Sequence, residues 1–98
     1  MAIVQVTIVP LGTQTTSLSD YVADCHKVLE NSGLTYELTP MNTVIEGDLY
    51  KILEIIKKMH EVPFQNGAMR VSTEIKIDDR RDKKGTMKQK IDSVKSKL

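Results

Sequence analysis

Cysteine, histidine and aromatic residues, which most often carry catalysis, metal binding or base stacking, are scarce in this sequence. Its 98 residues include one cysteine, two histidines, no tryptophan and four other aromatic residues. A single cysteine, Cys25, excludes an internal disulfide and a CxxC metal or redox site, and its helical context favours a packed thiol over a nucleophile. His26 and His60 fall on predicted helices beside charged residues, which favours surface histidines over bases or metal ligands. The sequence therefore predicts no catalytic residue.

Long apolar runs and glycine-rich loops are also missing. The apolar start, residues 1–11, alternates with Gln5 and Thr7 and is far shorter than the ~20 residues of a membrane-spanning helix, so we expect a cytoplasmic protein. No phosphate-binding loop and no HxxxH or HExxH spacing occurs, which argues against phosphate-loop, zinc and transition-metal sites. The aspartates of residues 78–84 interleave with basic residues, which favours salt bridges over a hard-cation site.

The net charge of +1 conceals an asymmetry along the chain. Residues 83–98 hold six lysines against Asp92, a local charge of +5, which leaves −4 for residues 1–82. Basic tails can contact nucleic acid, but these lysines fall on the outer face of an amphipathic helix, where solvation is the commoner reason. RNA-binding sheets stack bases on aromatic residues of their first and third strands, and those strands have none here. Neither a nucleic-acid nor a membrane partner is predicted.

Hydrophobic periodicity predicts seven elements in one domain, residues 1–98. The four strands are predicted over residues 1–11, 34–38, 43–46 and from residue 68 or 69 to about 78. The first helix is capped by Ser17 and runs to about Asn31, and the second opens at Asp48 and has stopped by Pro63. The third is a basic amphipathic helix within residues 83–98, with a dry stripe of Met87, Ile91, Val94 and Leu98. This order predicts an α+β fold: a ferredoxin-like βαββαβ sandwich, with a four-stranded antiparallel sheet, two helices on one face and an extra C-terminal helix.

Polar side chains stand inside the predicted hairpin, where carboxylates are seldom placed without a partner or a solvated face. In this topology the first and third strands are central, and one sheet face is left uncovered. Gln5, Thr7 and Ser72 lie on that face, and Glu46 joins them if the alternation holds; a bulge near Asn42 would put Thr43 there instead. A solvated face, a polar dimer interface and a small-molecule site all remain compatible with this pattern.

Two motifs carry a resemblance to a known family. Residues 40–47 read PMNTVIEG and residues 75–82 read IKIDDRRD. With these motifs the chain resembles, over essentially its whole length, the small ferredoxin-like thiamine-binding proteins, relatives of the thiamine and hydroxymethylpyrimidine binding protein of bacterial precursor uptake. A common form of the first motif has Gly where this chain has Asn42, and Asn tolerates the same left-handed backbone.

The resemblance implies a homo-oligomer, usually a tetramer of sheet-paired dimers, with ligand pockets near subunit contacts, no known catalytic reaction and thiamine as ligand. Glu46 or Glu37 would balance the thiazolium charge or bind the amino group, and Asn42 and Thr43 would hydrogen-bond the pyrimidine. The other candidates are packing residues and neighbours on the open sheet face: Met41, Tyr36, Gln5, Thr7 and Ser72. The motif supports Thr43 and Glu46 best, and the others follow from strand parity.

The leading hypothesis is therefore non-enzymatic binding of thiamine or a thiamine precursor, through its hydroxymethylpyrimidine moiety, on the polar sheet face near the hairpin. The alternative is an oligomeric structural or regulatory module with no small-molecule ligand. An enzymatic interpretation would need a general base with a shifted pKa, for which only carboxylates are candidates.

Overall fold

One antiparallel sheet organises the chain, and the predicted α+β order of elements is confirmed. The computed structural model describes residues 1–12, 19–82 and 86–98. The elements are β1 (Ala2–Leu11), α1 (Ser19–Glu30), β2 (Thr35–Leu38), β3 (Thr43–Gly47), α2 (Leu49–Gln65), β4 (Arg70–Asp79) and α3 (Met87–Ser96). The strand order is β2-β3-β1-β4, so β1 and β3 are central, as the ferredoxin-like topology requires. The predicted Ser17 cap of α1 lies outside the described residues.

The strand register settles which side chains share a face. Ile3 pairs with Glu46 on one side and with Asp78 on the other, while Val4 pairs with Ile45 and Ile77. The pairing of β1 with β3 runs without interruption from Ala2–Gly47 to Val6–Thr43, so no bulge shifts β3. We call the face that carries Ile3 and Glu46 the open face, because α1 and α2 pack on the other side.

The hydrophobic core lies between that other side of the sheet and the helices α1 and α2. Apolar residues at alternate positions of β1 and β3 meet apolar residues at helical spacing on both helices. The buried members are Ala2, Val4, Val6, Leu29, Ile45, Ile52, Ile56 and Met59. In α1, Leu29 is buried and Cys25 and Val28 pack against the core, whereas Val22 stays 54% exposed.

Pro63 does not end α2, contrary to prediction. The helix continues to Gln65 with a buried Pro63 inside it. A proline in a helix removes one backbone donor, here the one that would bond the Met59 carbonyl. The Cys25 Sγ lies 3.5 Å from that carbonyl oxygen and donates to it instead. Because Pro63 falls in the last turn, only this bond has to be replaced, and a thiol from α1 replaces it.

The hairpin turn is held by side-chain hydrogen bonds rather than by a left-handed residue. Asn42 does not use the left-handed backbone that asparagine tolerates, since its φ is not positive. Thr39 Oγ1 instead accepts from the amides of Met41 and Asn42 and donates to Asn42 oxygens. A positive φ does occur at Gly47, at 148°, where a Cβ would also lie 3.0 Å from Leu34 Cδ2. The positive φ favours glycine at this position of the PMNTVIEG motif, whereas the close contact would need only a small shift of the Leu34 side chain.

α3 forms where predicted, but its apolar stripe is not dry in the single chain. Met87 is half-buried, whereas Ile91, Val94 and Leu98 are 46%, 60% and 99% exposed. A capping box of Thr86 and Gln89 starts the helix. The stripe lacks cover because the helix begins at one end of the open face and makes few contacts beyond its first turn.

The charged segment at the end of β4 and directly after it, residues 78–82, forms salt bridges, as predicted. Arg80 pairs with Asp82, and Arg81 with Asp79 at 2.8 Å. The hydrogen bond from Arg81 lowers the pKa of the Asp79 carboxyl below its usual range. Lys90 of α3 pairs with Asp78, so this segment also holds α3 against the sheet.

Candidate functional site

Five of the nine predicted ligand residues share the open face. The strand register places Glu46 opposite Ile3. Alternate residues of β1, β2 and β4 therefore point to the same face as Glu46. The five residues are Gln5, Thr7, Glu37, Glu46 and Ser72. The face they form is broad, and Gln5, Glu37 and Ser72 are exposed. The expected grouping of Glu46 with Gln5, Thr7 and Ser72 is therefore confirmed as geometry, while ligand contact by these residues stays a prediction.

Glu46 already has a partner. Its Oε2 accepts a hydrogen bond of 2.8 Å from the Met87 amide, the first residue of α3. A carboxylate at a helix N-terminus satisfies an otherwise unpaired donor and favours the helix dipole. Together with the Lys90–Asp78 pair, this contact ties the start of α3 to the two strands that flank Ile3. The structure thus gives Glu46 a structural task that sequence parity did not predict.

Thr43 and Tyr36 lie on the opposite side of the sheet, toward the helices. Thr43 pairs with Val6, and Tyr36 pairs with Ile45, both of which are core residues. The Tyr36 hydroxyl is 3.2 Å from His26 Nε2 of α1. Thr43 and Glu46, the two residues that the motif supports best, therefore do not meet on one face.

Met41 and Asn42 lie in the hairpin turn between β2 and β3, outside the paired strands. Met41 is 81% exposed. Asn42 is half-buried, and its side-chain oxygen accepts from Thr39 Oγ1 at 2.9 Å. Asn42 thus takes part in the hydrogen bonding of the hairpin itself, whereas the Met41 side chain is exposed to solvent at the tip of the hairpin.

A recess lies between α1 and the hairpin, on the side of the sheet to which Thr43 points. Its volume is about 70 Å³, well below the ~300–1,000 Å³ of a typical ligand pocket. We call it the hairpin recess; its walls are formed by Val6, Ile8, Val22, Cys25, His26, Leu29, Leu38, Thr43, Met59 and Pro63. Val22 and Leu38, both about half exposed, provide an apolar rim. The recess combines an apolar wall with a few polar groups, as small-molecule sites do.

The polar groups of the recess come from two elements. Thr43 supplies a hydroxyl from β3, and His26 and Cys25 come from α1. Burial, together with the neighbouring Asp24 carboxylate, raises the pKa of the Cys25 thiol to about 11, so this cysteine is a weak nucleophile. Sequence reasoning did not place His26 in a site. The only usable signal was the parity of β3: Ile45 must face the core, so Thr43 two residues away faces the helices as well.

A larger groove of about 560 Å³ runs between α2 and β4. It is walled mainly by Leu53, Ile56 and Ile75, and the His60 Nδ1 lies 2.7 Å from Thr73 Oγ1 at its side. None of the nine predicted ligand residues lines it. Within residues 1–12, 19–82 and 86–98, no group of three or more histidine, cysteine or acidic side chains is arranged to hold a metal ion.

Comparison with known proteins shows the family to which this chain belongs. The family model described as thiamine-binding protein matches residues 4–95. The chain belongs to the thiamine-binding protein family. The UPF0045 protein YqgV of Bacillus subtilis is 54% identical over all of this chain and 98% of its own length. A UPF0045 protein of Methanothermobacter thermautotrophicus is 42% identical, with both chains covered completely.

A solved structure supports the fold of this thiamine-binding family member. The crystal structure of the hypothetical protein MJ1052 from Methanocaldococcus jannaschii superposes with a TM-score of 0.86 at 36% identity, covering 96% of this chain and 95% of that one. The sequence resemblance is thus confirmed at the level of family and fold. In the part of the chain that the structure describes, no helix is long and apolar enough to cross a membrane.

Proposed function

We propose that this protein binds thiamine or a thiamine precursor without catalysing a reaction, and that the ligand's pyrimidine ring enters the hairpin recess. The observation that carries the proposal is the position of Thr43, a residue of the family-like motif whose side chain lines the recess. Membership of the thiamine-binding family supports the ligand class. Cytoplasmic location and the absence of a cofactor remain predictions.

The form of the recess suits a flat ring better than a whole thiamine molecule. At about 70 Å³ it admits one ring at most, and only after its rim widens. The cationic thiazolium would then remain outside, near Leu38 and the exposed Met41. Thr43 would hydrogen-bond the ring, while apolar residues of α1 would contact its face.

The open face is the less favoured location for the same ligand. Glu46, its best-supported residue, holds the N-terminus of α3, and the face is broad where small-molecule sites are concave. The alternative is a structural or regulatory module without a ligand. In that case sheet pairing between subunits, as expected for a homo-oligomer and for a tetramer in particular, would cover the open face.

Calorimetric titration tests the proposal. Wild-type protein is titrated with thiamine and with hydroxymethylpyrimidine, and the Thr43→Val variant is titrated in parallel. Valine keeps the shape of threonine and removes the hydroxyl, so we expect a five- to thirtyfold loss of affinity, the equivalent of about 1–2 kcal/mol. Ser72→Ala on the open face is the matched control and should bind like wild type. Absence of heat and of thermal stabilisation at millimolar ligand would refute ligand binding and favour the structural module.

A further inference from the structure

His26 carries a ring nitrogen without a partner. Its Nδ1 atom is buried and forms no hydrogen bond within the described part of the chain. The other ring nitrogen, Nε2, lies 3.1 Å from Glu30 Oε1 and 3.2 Å from the Tyr36 hydroxyl oxygen. Native proteins pair nearly all of their buried polar atoms. An unpaired nitrogen on a residue that lines a recess therefore marks a position where a ligand atom can complete the hydrogen bonding.

The surroundings of Nε2 determine which nitrogen bears the proton in the neutral ring. An ionised carboxylate can only accept, so Glu30 favours the form with hydrogen on Nε2, and the Tyr36 oxygen can accept the same hydrogen. The Tyr36 ring meets the imidazole edge-on, with centroids 5.2 Å apart and planes at 81°, which restricts rotation of the imidazole. Nδ1 is left as an acceptor with a free lone pair.

We propose that His26 selects the ligand of the hairpin recess, its Nδ1 accepting a hydrogen bond from an N–H group on a flat heteroaromatic ring. The inference rests on the proposed function, because it takes the recess as the binding site. The Cys25 proton is already directed at the Met59 carbonyl, so Nδ1 and the Thr43 hydroxyl are the groups left to fix the ring's orientation. Nδ1 is closed to solvent in the unliganded chain, and the contact forms as the entering ring widens the recess.

Selectivity follows from the hydrogen bond that only a ring with a donor can form. Nδ1 is already buried and unpaired in the unliganded chain, so an N–H group on the ring gains a hydrogen bond, whereas a ring without one fills the same volume and gains none. Sites built to hydrogen-bond a ligand group reject analogues that lack it much more strongly than apolar pockets reject a change of size. His26 is thus a specificity-determining residue. Its replacement changes the ratio between the affinity for a ring with an N–H donor and the affinity for a ring without one, rather than lowering both equally.

The test compares two probes on three proteins by calorimetry. The probes are 4-amino-5-hydroxymethyl-2-methylpyrimidine and its analogue without the amino group. The wild type should prefer the amino compound by about three- to tenfold, the result of one net hydrogen bond. His26→Phe keeps a planar ring and should reduce the preference to about one. His26→Asn, whose amide oxygen can stand near the place of Nδ1, should retain part of it.

Four outcomes are decisive. An unchanged preference in His26→Phe, or no preference in the wild type, overturns the role of His26 while ligand binding stands. No binding of either probe to the wild type overturns both the role of His26 and the proposed function. If His26→Phe fails to fold, His26→Leu serves instead: it also removes the Nδ1 acceptor, so the preference should fall to about one, and an unchanged preference contradicts the inference.

Discussion

Thr43 and Glu46 stand three residues apart in β3 and point to opposite faces of the sheet. Side chains alternate along a strand, so an odd spacing separates two residues that sequence motifs present together. Thr43 faces the hairpin recess, whereas Glu46 faces the start of α3. Substitutions at these two positions should therefore give different phenotypes.

Replacement of Glu46 by alanine should loosen α3. The Met87 amide would lose its acceptor, and we expect a loss of about 1 kcal/mol of stability together with faster hydrogen exchange at Met87. Amide exchange by NMR and denaturant unfolding measure both effects. Glu37→Ala on the same face, at the exposed edge strand β2, is the control. Unchanged protection of the Met87 amide in Glu46→Ala would contradict the structural role.

Cys25 should react slowly with thiol reagents. Burial raises its pKa from 9.0 to about 11, so the thiolate fraction near pH 8 is about a hundredfold below that of the unfolded chain. Labelling rates in native buffer and in denaturant measure this ratio. Because the folded chain favours the protonated thiol, the stabilisation is present below about pH 9 and is lost as the pH rises toward 11. Equal labelling rates would refute a buried thiol.

Helices and strands with a regular hydrophobic period could be predicted from the sequence. Features that depend on contacts between distant residues could not. Alternation in β1 and β4 and the wide apolar face of α2 gave the correct order and sheet topology. The predicted end of α2 was wrong because the Cys25 thiol replaces one backbone hydrogen bond to the Met59 carbonyl. Cys25 lies 34 positions from Met59 in the sequence, so local periodicity does not show this contact. The recess escaped prediction for the same reason, since it needs α1 and the hairpin to be packed together.

α3 is the element whose apolar face has the least cover in the single chain. Ile91 and Val94 are about half exposed or more, and burying them would stabilise an assembly. We predict that Ile91→Gln lowers the oligomer mass or the melting temperature, while Lys95→Gln in the same helix has little effect. Size-exclusion chromatography with light scattering and thermal melts test this. Deletion of residues 87–98 without change in mass or melting temperature would show that the stripe covers nothing.

At the scale of the whole molecule, the long edge strand β4 is the surface most suited to pairing with a second copy. It has ten residues at the edge of the sheet, and Ile75 and Ile77 are 44% and 45% exposed. Unpaired edges of this length invite strand addition. If two copies of β4 pair antiparallel about Ile75, Glu74 of each chain lies opposite Lys76 of the partner subunit, which is a favourable cross-strand pair.

This pairing makes a charge-reversal prediction. Glu74→Lys should weaken the dimer, because it places like charges opposite each other, and adding Lys76→Glu should restore it. Sedimentation velocity over a concentration series measures the dimer constant. Lys51→Glu, on α2 beside Ser32 and Leu34 rather than β4, is the control for net charge. A dimer that tolerates Glu74→Lys, or a monomeric wild type, would contradict pairing in this register.

The location of the ligand is the central claim, and methyl NMR tests it most directly. Isoleucine, leucine and valine methyl groups occur on both sides of the sheet: Ile8, Leu29 and Leu38 line the hairpin recess, while Ile3, Val9 and Val44 lie on the open face. Titration of methyl-labelled protein with thiamine should shift the recess methyls and leave those of the open face unchanged. Shifts confined to Ile3, Val9 and Val44 would place the ligand on the open face and contradict the account.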